Sequence, residues 1–376
     1  MKRVLITGGA GFIGAHLARE LLAHGYRVRA LDNLSPQVHG KGAREAARRP
    51  ALLDREVELV LGDVRDPASC LKALDGVDAV YHLAAMVGVG QSMYQIADYT
   101  SVNNLGTATL LEAVIKSGTV ERLMVASSMS VYGEGSYQDS GGRVVAGPER
   151  DIDRLSAGKW ELQDESGHPL RPVPTSEKQR GALSSVYALS KYDQERLCLM
   201  TGRAYGISAV ALRLFNTYGI GQALSNPYTG VLAIFASRLL NGKPPLINED
   251  GQQRRDFVSV RDVARAFRLA LEVPEAAGRV FNIGSGQVST VSDVAHLMSE
   301  MISSGRIAPE ITGQYRMGDI RHCFPDLSLA AEVLGYRPEV PLARGLEELC
   351  GWLGGEVAED RVEEARAELA ARGLTL

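Results

Sequence analysis

The stretch that most constrains this chain is residues 1–32, MKRVLITGGAGFIGAHLARELLAHGYRVRALD. Val4–Ile6 is an apolar run with β-branched residues, which predicts a buried strand. It enters Thr7-Gly8-Gly9-Ala10-Gly11-Phe12-Ile13-Gly14 directly. Leu17, Leu21 and Leu22 then recur at helical spacing until Gly25, a suitable C-terminal stop. Val28–Leu31 predicts a second strand, closed by Asp32. Strand, glycine turn, helix, strand, acid is the order of a dinucleotide-binding unit. A side chain at Gly8 or Gly11 would hinder the turn or block a pyrophosphate, and Gly14 lets the helix lie close on the sheet. The helix N-terminus offers free N–H groups and positive dipole charge to phosphates. Asp32 can accept from both adenosine ribose hydroxyls and would repel a 2′-phosphate, so NAD is expected rather than NADP.

The chain has 376 residues, enough for one large α/β domain or two lobes. A net charge of −4 without a strong basic run argues against nucleic acid or an anionic membrane surface as partner. No apolar stretch approaches the ~18 residues of a membrane span, and the N-terminus enters a strand too soon for a signal peptide. Cys70, Cys198, Cys323 and Cys350 lie far apart without a CxxC pair, and the histidines lack ligand spacing. Reduced thiols, no metal and a cytoplasmic location are expected.

Further strands are expected at Val57–Leu61, Ala79–Leu83, Leu123–Ala126 and Ile207–Leu214. Helices are expected at Ala97–Lys116, Val231–Leu240 and from the Tyr187 region to Tyr205, with a short one around Arg44–Arg49. Asp63 and Val64 follow the third strand, where a carboxylate and an N–H can meet adenine; an alternative is that Asp63 caps the next helix. Asp66 before Pro67 fits a capping role better. Ala84-Ala85 ends the fourth strand, where ligands approach open α/β sheets. Asn103 lies within the following helix and either meets the catalytic region or is an ordinary polar helix residue. Ser127-Ser128-Met129-Ser130 ends the fifth strand and can offer hydroxyls to a substrate. The segment 134–185 lacks periodicity and reads as a surface excursion over the site, with a helix near Asp151–Leu155. Tyr187 and Lys191 are four apart on one helix face, either a solvated pair or an acid/base couple. In the second case the ammonium would lower the phenol's ordinary pKa of about 10.

Taken together, TGGAGFIG, Asp32, Gly62-Asp63-Val64, His82-Leu83-Ala84-Ala85, Ser127-Ser128 and Tyr187xxxLys191 resemble the extended short-chain dehydrogenase/reductase family. More narrowly they resemble its nucleotide-sugar epimerases and dehydratases. The resemblance spans residues 1 to about 350, broken by the insertion 134–185. It implies a Rossmann-type, doubly wound parallel α/β sheet over 1–205, a smaller substrate lobe interleaved over 206–350, and a helical tail over 351–376. It implies catalysis by Ser128, Tyr187 and Lys191. The cofactor set would be Gly8, Gly11, Phe12, Ile13, Gly14, Asp32, Asn33, Asp63, Val64, Leu83, Ala84, Ala85, Asn103, Tyr187, Lys191 and Phe215. The substrate set would be Ser128, Ser130, Asn216, Asn226, Arg255, Arg316 and Asp319. In that set Arg255 and Arg316 meet the diphosphate, Asp319 meets the nucleotide ribose, and Pro244–Ile247 lies against the base. Arg254 reads as a surface residue. A homodimer through Val102–Lys116 and Tyr187–Tyr205 is implied.

Dehydratases of the family carry an Asp-Glu pair where this chain has Met129-Ser130. Met cannot transfer a proton, so the resemblance favours C4 epimerisation of a nucleotide-diphosphate sugar through a 4-keto intermediate. Residues Gly221–Gly230 and Gly318–Phe324 are most similar to the dTDP-L-rhamnose 4-epimerase group. Some relatives there carry Cys pairs in the insertion; this chain has none. A UDP-hexose or UDP-uronate 4-epimerase and a 4-keto-sugar reductase stand as alternatives. Cys323, four residues after Asp319, either gates the sugar pocket or is a buried small hydrophobe.

Overall fold

Seven apolar runs assemble into one sheet: β1 (Arg3–Thr7), β2 (Arg27–Asp32), β3 (Glu58–Leu61), β4 (Ala79–His82), β5 (Arg122–Ser128), β6 (Ser208–Leu214) and β7 (Val280–Ile283). The computed structural model describes residues 2–375 except 41, 45, 47, 48, 225, 227, 229 and 354–359. Half of the expected helix around Arg44–Arg49, residues 45, 47 and 48, lies outside the described residues. The spatial order is β7-β6-β5-β4-β1-β2-β3, and every pairing is parallel. The order reverses at β1/β4, the switch point where such sheets take their ligands.

Both sheet faces are covered, so successive residues of one strand enter different cores. Val4, Ile6, Tyr81, Met124, Leu212 and Phe281 face α1 (Phe12–Ala23) and α4 (Val260–Glu272). Leu5, Val80, Leu123, Val125 and Ala211 face α2 (Gly106–Ser117) and α3 (Val186–Tyr205). Leu17 and Leu21 of α1 are fully buried, each contributing about 1.5–3 kcal/mol of apolar transfer. Gly25, at φ +79°, ends the helix and turns the chain into β2.

The helix expected over 97–116 is interrupted. Ile96–Tyr99 is α-helical, Thr100–Leu105 is a π-helical turn, and α2 follows. The reason is Asn103, whose amide accepts from Met86 N–H (2.7 Å) and donates to Met86 C=O (3.1 Å) and Ser190 Oγ (2.9 Å). One extra residue in the turn lets this side chain reach sideways to the loop after β4.

The insertion departs from the expected surface excursion. It contains an antiparallel sheet of Val144–Ala146, Ser136–Gln138 and Arg171–Val173, around a small core of Tyr137, Leu162 and Leu170. The helix expected near Asp151–Leu155 is Ile152–Ser156, capped by the Asp151 side chain. Polar contacts tie the insertion to the C-terminal half. Arg150 Nη1 meets Glu249 at 2.6 Å in a buried ion pair, Arg321 Nη2 meets the half-exposed Glu161 at 2.5 Å, and His322 Nε2 lies 3.1 Å from the same carboxylate.

The smaller lobe packs Val231–Leu240, Val291–Ser303 and Leu342–Leu353 around Phe235, Met298 and Leu346. In the tail, Val362–Ala370 is helical and its neighbours reach back to this lobe through Lys243–Asp360 (2.8 Å) and a bridge between Arg316 and Thr375. No helix among the described residues is long and apolar enough to cross a membrane.

Candidate functional site

A cavity of about 610 Å³ opens across the C-terminal ends of the central strands. The glycine turn forms its floor. Gly8 has φ +69°, and a Cβ there would lie 3.0 Å from the Ala84 backbone; a Cβ at Gly14 would meet the Gly8 carbonyl at 2.4 Å. The turn is thus pressed against the backbone at the end of β4. α1 starts at Gly11 without a side-chain cap, leaving its first-turn donors for an anion.

Asp32 ends β2 in the same cavity. Its carboxylate accepts from Ala10 N–H (3.0 Å) and Leu34 N–H (2.9 Å). Asp63 accepts from Asn33 Nδ2 (3.0 Å) and from Arg65, whose guanidinium holds the carboxyl well below its ordinary range. The capping role belongs to Asp66, which accepts from Ala68 and Ser69 N–H.

On the opposite wall, Ser128 closes β5 and Tyr187 lies in the first turn of α3, which Ser185 caps through Ala188 N–H. Tyr187 stands with Ser128 in the cavity lining, and the serine hydroxyl favours the phenolate. Ser130 is buried behind the wall and donates its N–H (3.2 Å) and hydroxyl (2.9 Å) to Ser128 Oγ. Burial raises the Tyr187 pKa, and the Ser128 hydroxyl opposes the rise. This corrects the expectation of a phenol depressed by its neighbour. The shared face does bring Lys191 into the cavity, but its Nζ donates to Gln194 Oε1 at 2.7 Å, one turn further on. Burial lowers Lys191 to about 8, against the pull of Cys198 and Glu195.

The cavity gathers Gly8, Gly11, Phe12, Ile13, Gly14, Asp32, Asn33, Asp63, Val64, Leu83, Ala84, Ala85, Ser128, Tyr187, Lys191, Phe215, Asn216 and Asn226. Other predicted residues lie outside its lining. Asn103 is buried behind the wall with its amide spent on Met86 and Ser190. Arg255 donates to the Arg254 and Arg321 carbonyls (2.9 Å each) and to Ile320 C=O. Arg316 is paired with Asp319 (2.6 Å). Ile247 is in the core of the smaller lobe. Arg254 is exposed, as its sequence context suggested. Cys323 is a buried small hydrophobe packed with Met129, Val131, Tyr132 and Phe215, and Met129 rather than Cys323 faces the cavity.

Several lining residues escaped the sequence reading. Gln37, in a segment read as loop, donates to Gln91 Oε1 (3.0 Å) and Asn226 Oδ1 (3.3 Å). No local signal marks Gln37 or Gln222. Gln194, just behind the lining, could have been found as the i+3 neighbour of Lys191.

These residues fit a dinucleotide. The glycine cradle admits no Cβ without displacement of backbone, and two carboxylates stand at the ends of β2 and β3. Asn216 Oδ1 and Gln222 Oε1 are buried lining atoms without a hydrogen-bond partner among the described residues, and they suit a ligand's donors.

Comparison with known proteins agrees with this geometry. The profile of the NAD dependent epimerase/dehydratase family matches residues 4–151 and 165–284. A dTDP-L-rhamnose 4-epimerase of Burkholderia thailandensis is 37% identical over 95% of this chain and 96% of its own length. The structure of UDP-glucose 4-epimerase with UDP-glucose from Thermotoga maritima superposes with a TM-score of 0.75, at 30% identity, over 94% of this chain and 98% of that one. The UDP-glucuronic acid 4-epimerase of Bacillus cereus, in complex with UDP-glucuronic acid and NAD, gives 0.74 at 26% identity, over 94% and 99%. With the glycine cradle, the two strand-end carboxylates and the Ser-Tyr-Lys wall in one cavity, this chain belongs to the NAD dependent epimerase/dehydratase family.

Proposed function

We propose that this protein epimerises C4 of a nucleotide-diphosphate sugar with bound NAD, through a 4-keto intermediate, and that its substrate is a dTDP-6-deoxyhexose such as dTDP-L-rhamnose. One observation carries the reading: Ser128, Tyr187 and Lys191 line one cavity with the glycine cradle, while Met129 lines it where a dehydratase needs an acid. Bound NAD would supply a hydride acceptor for C4 and a hydride donor to either face of the 4-keto sugar. Tyr187 Oη is the atom through which the 4-OH proton leaves and returns. Ser128 bridges the sugar hydroxyl and the phenol, and Ser130 orients Ser128. Lys191 holds the nicotinamide ribose. Because the proton and hydride both return, the product is an isomer and no net redox occurs.

Asn216 and Asn226 take polar groups of the substrate. Arg255 and Arg316 meet the diphosphate after leaving their carbonyl and Asp319 partners, with forked guanidinium groups suited to a dianion. Asp319 then turns to the nucleotide ribose. In this reading residues 1–205, with the insertion 134–185, carry the cofactor, 206–350 carry mainly the substrate, and 351–376 form a helical tail. The working unit is a homodimer in the cytoplasm. Leu189 and Met200 on α3 and Leu105 beside α2 are each more than half exposed, and support a helix-paired interface.

A UDP-hexose or UDP-uronate is the second reading, favoured by the UDP-sugar complexes among the structural relatives. Incubation with dTDP-, UDP- and GDP-sugars, read by NMR, tests both. A C4 epimer of dTDP-L-rhamnose supports the first. Dehydrated or net-reduced products only would refute the epimerase assignment.

A further inference from the structure

We propose that Gln194 is the positioning residue for Lys191, tying its ammonium to the end of β4 and through it to the glycine turn. The inference rests on the roles given above to Tyr187 and Lys191. Lys191 is nearly fully buried on α3, and its flexible four-carbon stem does not by itself hold one geometry. Its Nζ donates to Gln194 Oε1 at 2.7 Å.

Gln194 is itself fully buried, and its other end is fully used. Nε2 donates to Thr107 Oγ1 (2.9 Å) and Ala84 C=O (3.3 Å), and lies 3.1 Å from His82 Nε2. These partners settle which way the amide points. A flipped amide would set NH₂ against the ammonium and its oxygen against the Ala84 carbonyl, losing both of those bonds. The chain continues inward: His82 lies 2.8 Å from Thr107 Oγ1 through one ring nitrogen and 2.8 Å from Thr7 Oγ1 through the other. Thr7 Oγ1 also accepts from Ala84 N–H at 3.3 Å, one residue before Gly8 begins the turn. Burial and the charge of Lys191 lower His82 to about 3, so the relay is neutral and adds no competing charge. Around Lys191 stand Glu195 and Cys198 on its own helix, Tyr187 one turn before it, and His82 from β4.

Because one amide receives the ammonium and donates to Ala84, the lysine is tied through Gln194 to the backbone that meets the glycine turn. Removing the amide leaves a buried ammonium with one acceptor fewer. Its proton is then held less well, so any activity that needs charged Lys191 is lost at a lower pH.

The test compares Gln194→Leu and Gln194→Glu with the wild type, using calorimetric titration with NAD and with ADP, and kcat and KM for dTDP-L-rhamnose across pH. For Gln194→Leu we expect NAD affinity to fall about tenfold, the scale of one charge-assisted hydrogen bond, with ADP affinity unchanged because ADP lacks the nicotinamide ribose. We expect kcat to fall by about the same factor with KM steady, and the alkaline limb of kcat to move down by about one pH unit. Gln194→Glu restores an acceptor and should move that limb upward, with partial recovery of kcat. A merely structural role would lower melting temperature and both affinities together without moving the limb. The proposal is overturned if folded Gln194→Leu binds NAD and ADP as the wild type does, or if its kcat falls with the limb unmoved. If Gln194→Leu does not fold, Gln194→Glu decides by the direction of the limb and the NAD/ADP ratio. Turnover by Tyr187→Phe would instead refute the acid/base reading, and the ligand titrations judge Gln194 independently of it.

Discussion

Arg321→Met removes the hub that joins the insertion to the substrate-side loop. The guanidinium is 1% exposed and reaches Glu161 (3.0 Å), Glu249 (2.8 Å) and Asp250 (2.7 and 3.0 Å). Glu161 and Asp250 are partly exposed and rehydrate when the arginine is lost; Glu249 is 1% exposed and cannot. Breaking a buried pair from one side costs about 3–5 kcal/mol, and the lower end applies because Arg150 still holds Glu249 at 2.6 Å. In a chain of this length ~3 kcal/mol is a fall in Tm of about 4 °C at neutral pH. The pH dependence has a definite sign. Hydrogen bonds from His322 and then Arg321 hold Glu161 at about 2 in the folded state, against an ordinary 4.5. Its contribution is therefore complete above 4.5 and lost as pH falls toward 2. The gap between wild type and variant should narrow over that window. Arg255 binds the Ile320 and Arg321 carbonyls, so KM for the sugar should rise more than kcat falls. Calorimetric melts across pH with steady-state kinetics measure all three effects. An unchanged Tm at neutral pH would refute the argument that this cluster anchors the insertion.

Tyr187→Phe should reduce epimerisation by about 10²–10⁴-fold while NAD still copurifies; near-normal turnover by the variant would remove Tyr187 from the mechanism. The fold should tolerate the change, because Ser128 Oγ keeps both bonds from Ser130. Asp32→Ala should narrow the NAD-over-NADP preference by about 10- to 100-fold, one or two hydrogen bonds to a charged acceptor; wild-type preference for NADP would overturn the reading of Asp32. Leu189→Glu should shift the protein from dimer to monomer in light scattering at micromolar concentration, and a monomeric wild type would exclude the helix-paired interface.

The cofactor side was legible because each part is local. A strand, a glycine turn and a helix lie within residues 3–23, and their periods and turn residues announce them without help from the rest of the chain. The same holds for Tyr187 and Lys191 as neighbours on a helix. What the spacing could not contain was the aim of the Gln194 amide that receives the lysine, because its other partners, Ala84, Thr107 and His82, come from remote segments. The π-helical turn at Asn103 was hidden for the same reason: its cause is Met86, 17 residues away and on a different segment. The insertion failed as a sequence reading because its strands are three residues long, too short for a period, and because its anchors are ion pairs such as Arg150–Glu249, 99 residues apart.

Arg255, Arg316 and Asp319 show the limit differently. Residue type alone suits them to a diphosphate and a ribose, yet the structure occupies them with carbonyls and with each other. Met129 is the converse, since its inability to carry a proton needs no structure to be argued, and the cavity merely puts it where that inability matters. Chemistry that follows from a side chain's composition is therefore readable one residue at a time, whereas the aim of a long flexible side chain is set by partners from remote segments. This divides the molecule functionally. The Ser128–Tyr187 wall stands on a strand end and a capped helix. The arginines proposed to meet the diphosphate stand on Arg254–Ser259, the middle strand of a small sheet, and on the loop that Arg321 ties to Glu161 of the insertion. Changes in the insertion or in residues 316–322 should consequently alter which sugar nucleotide is accepted while leaving the hydride and proton steps in place.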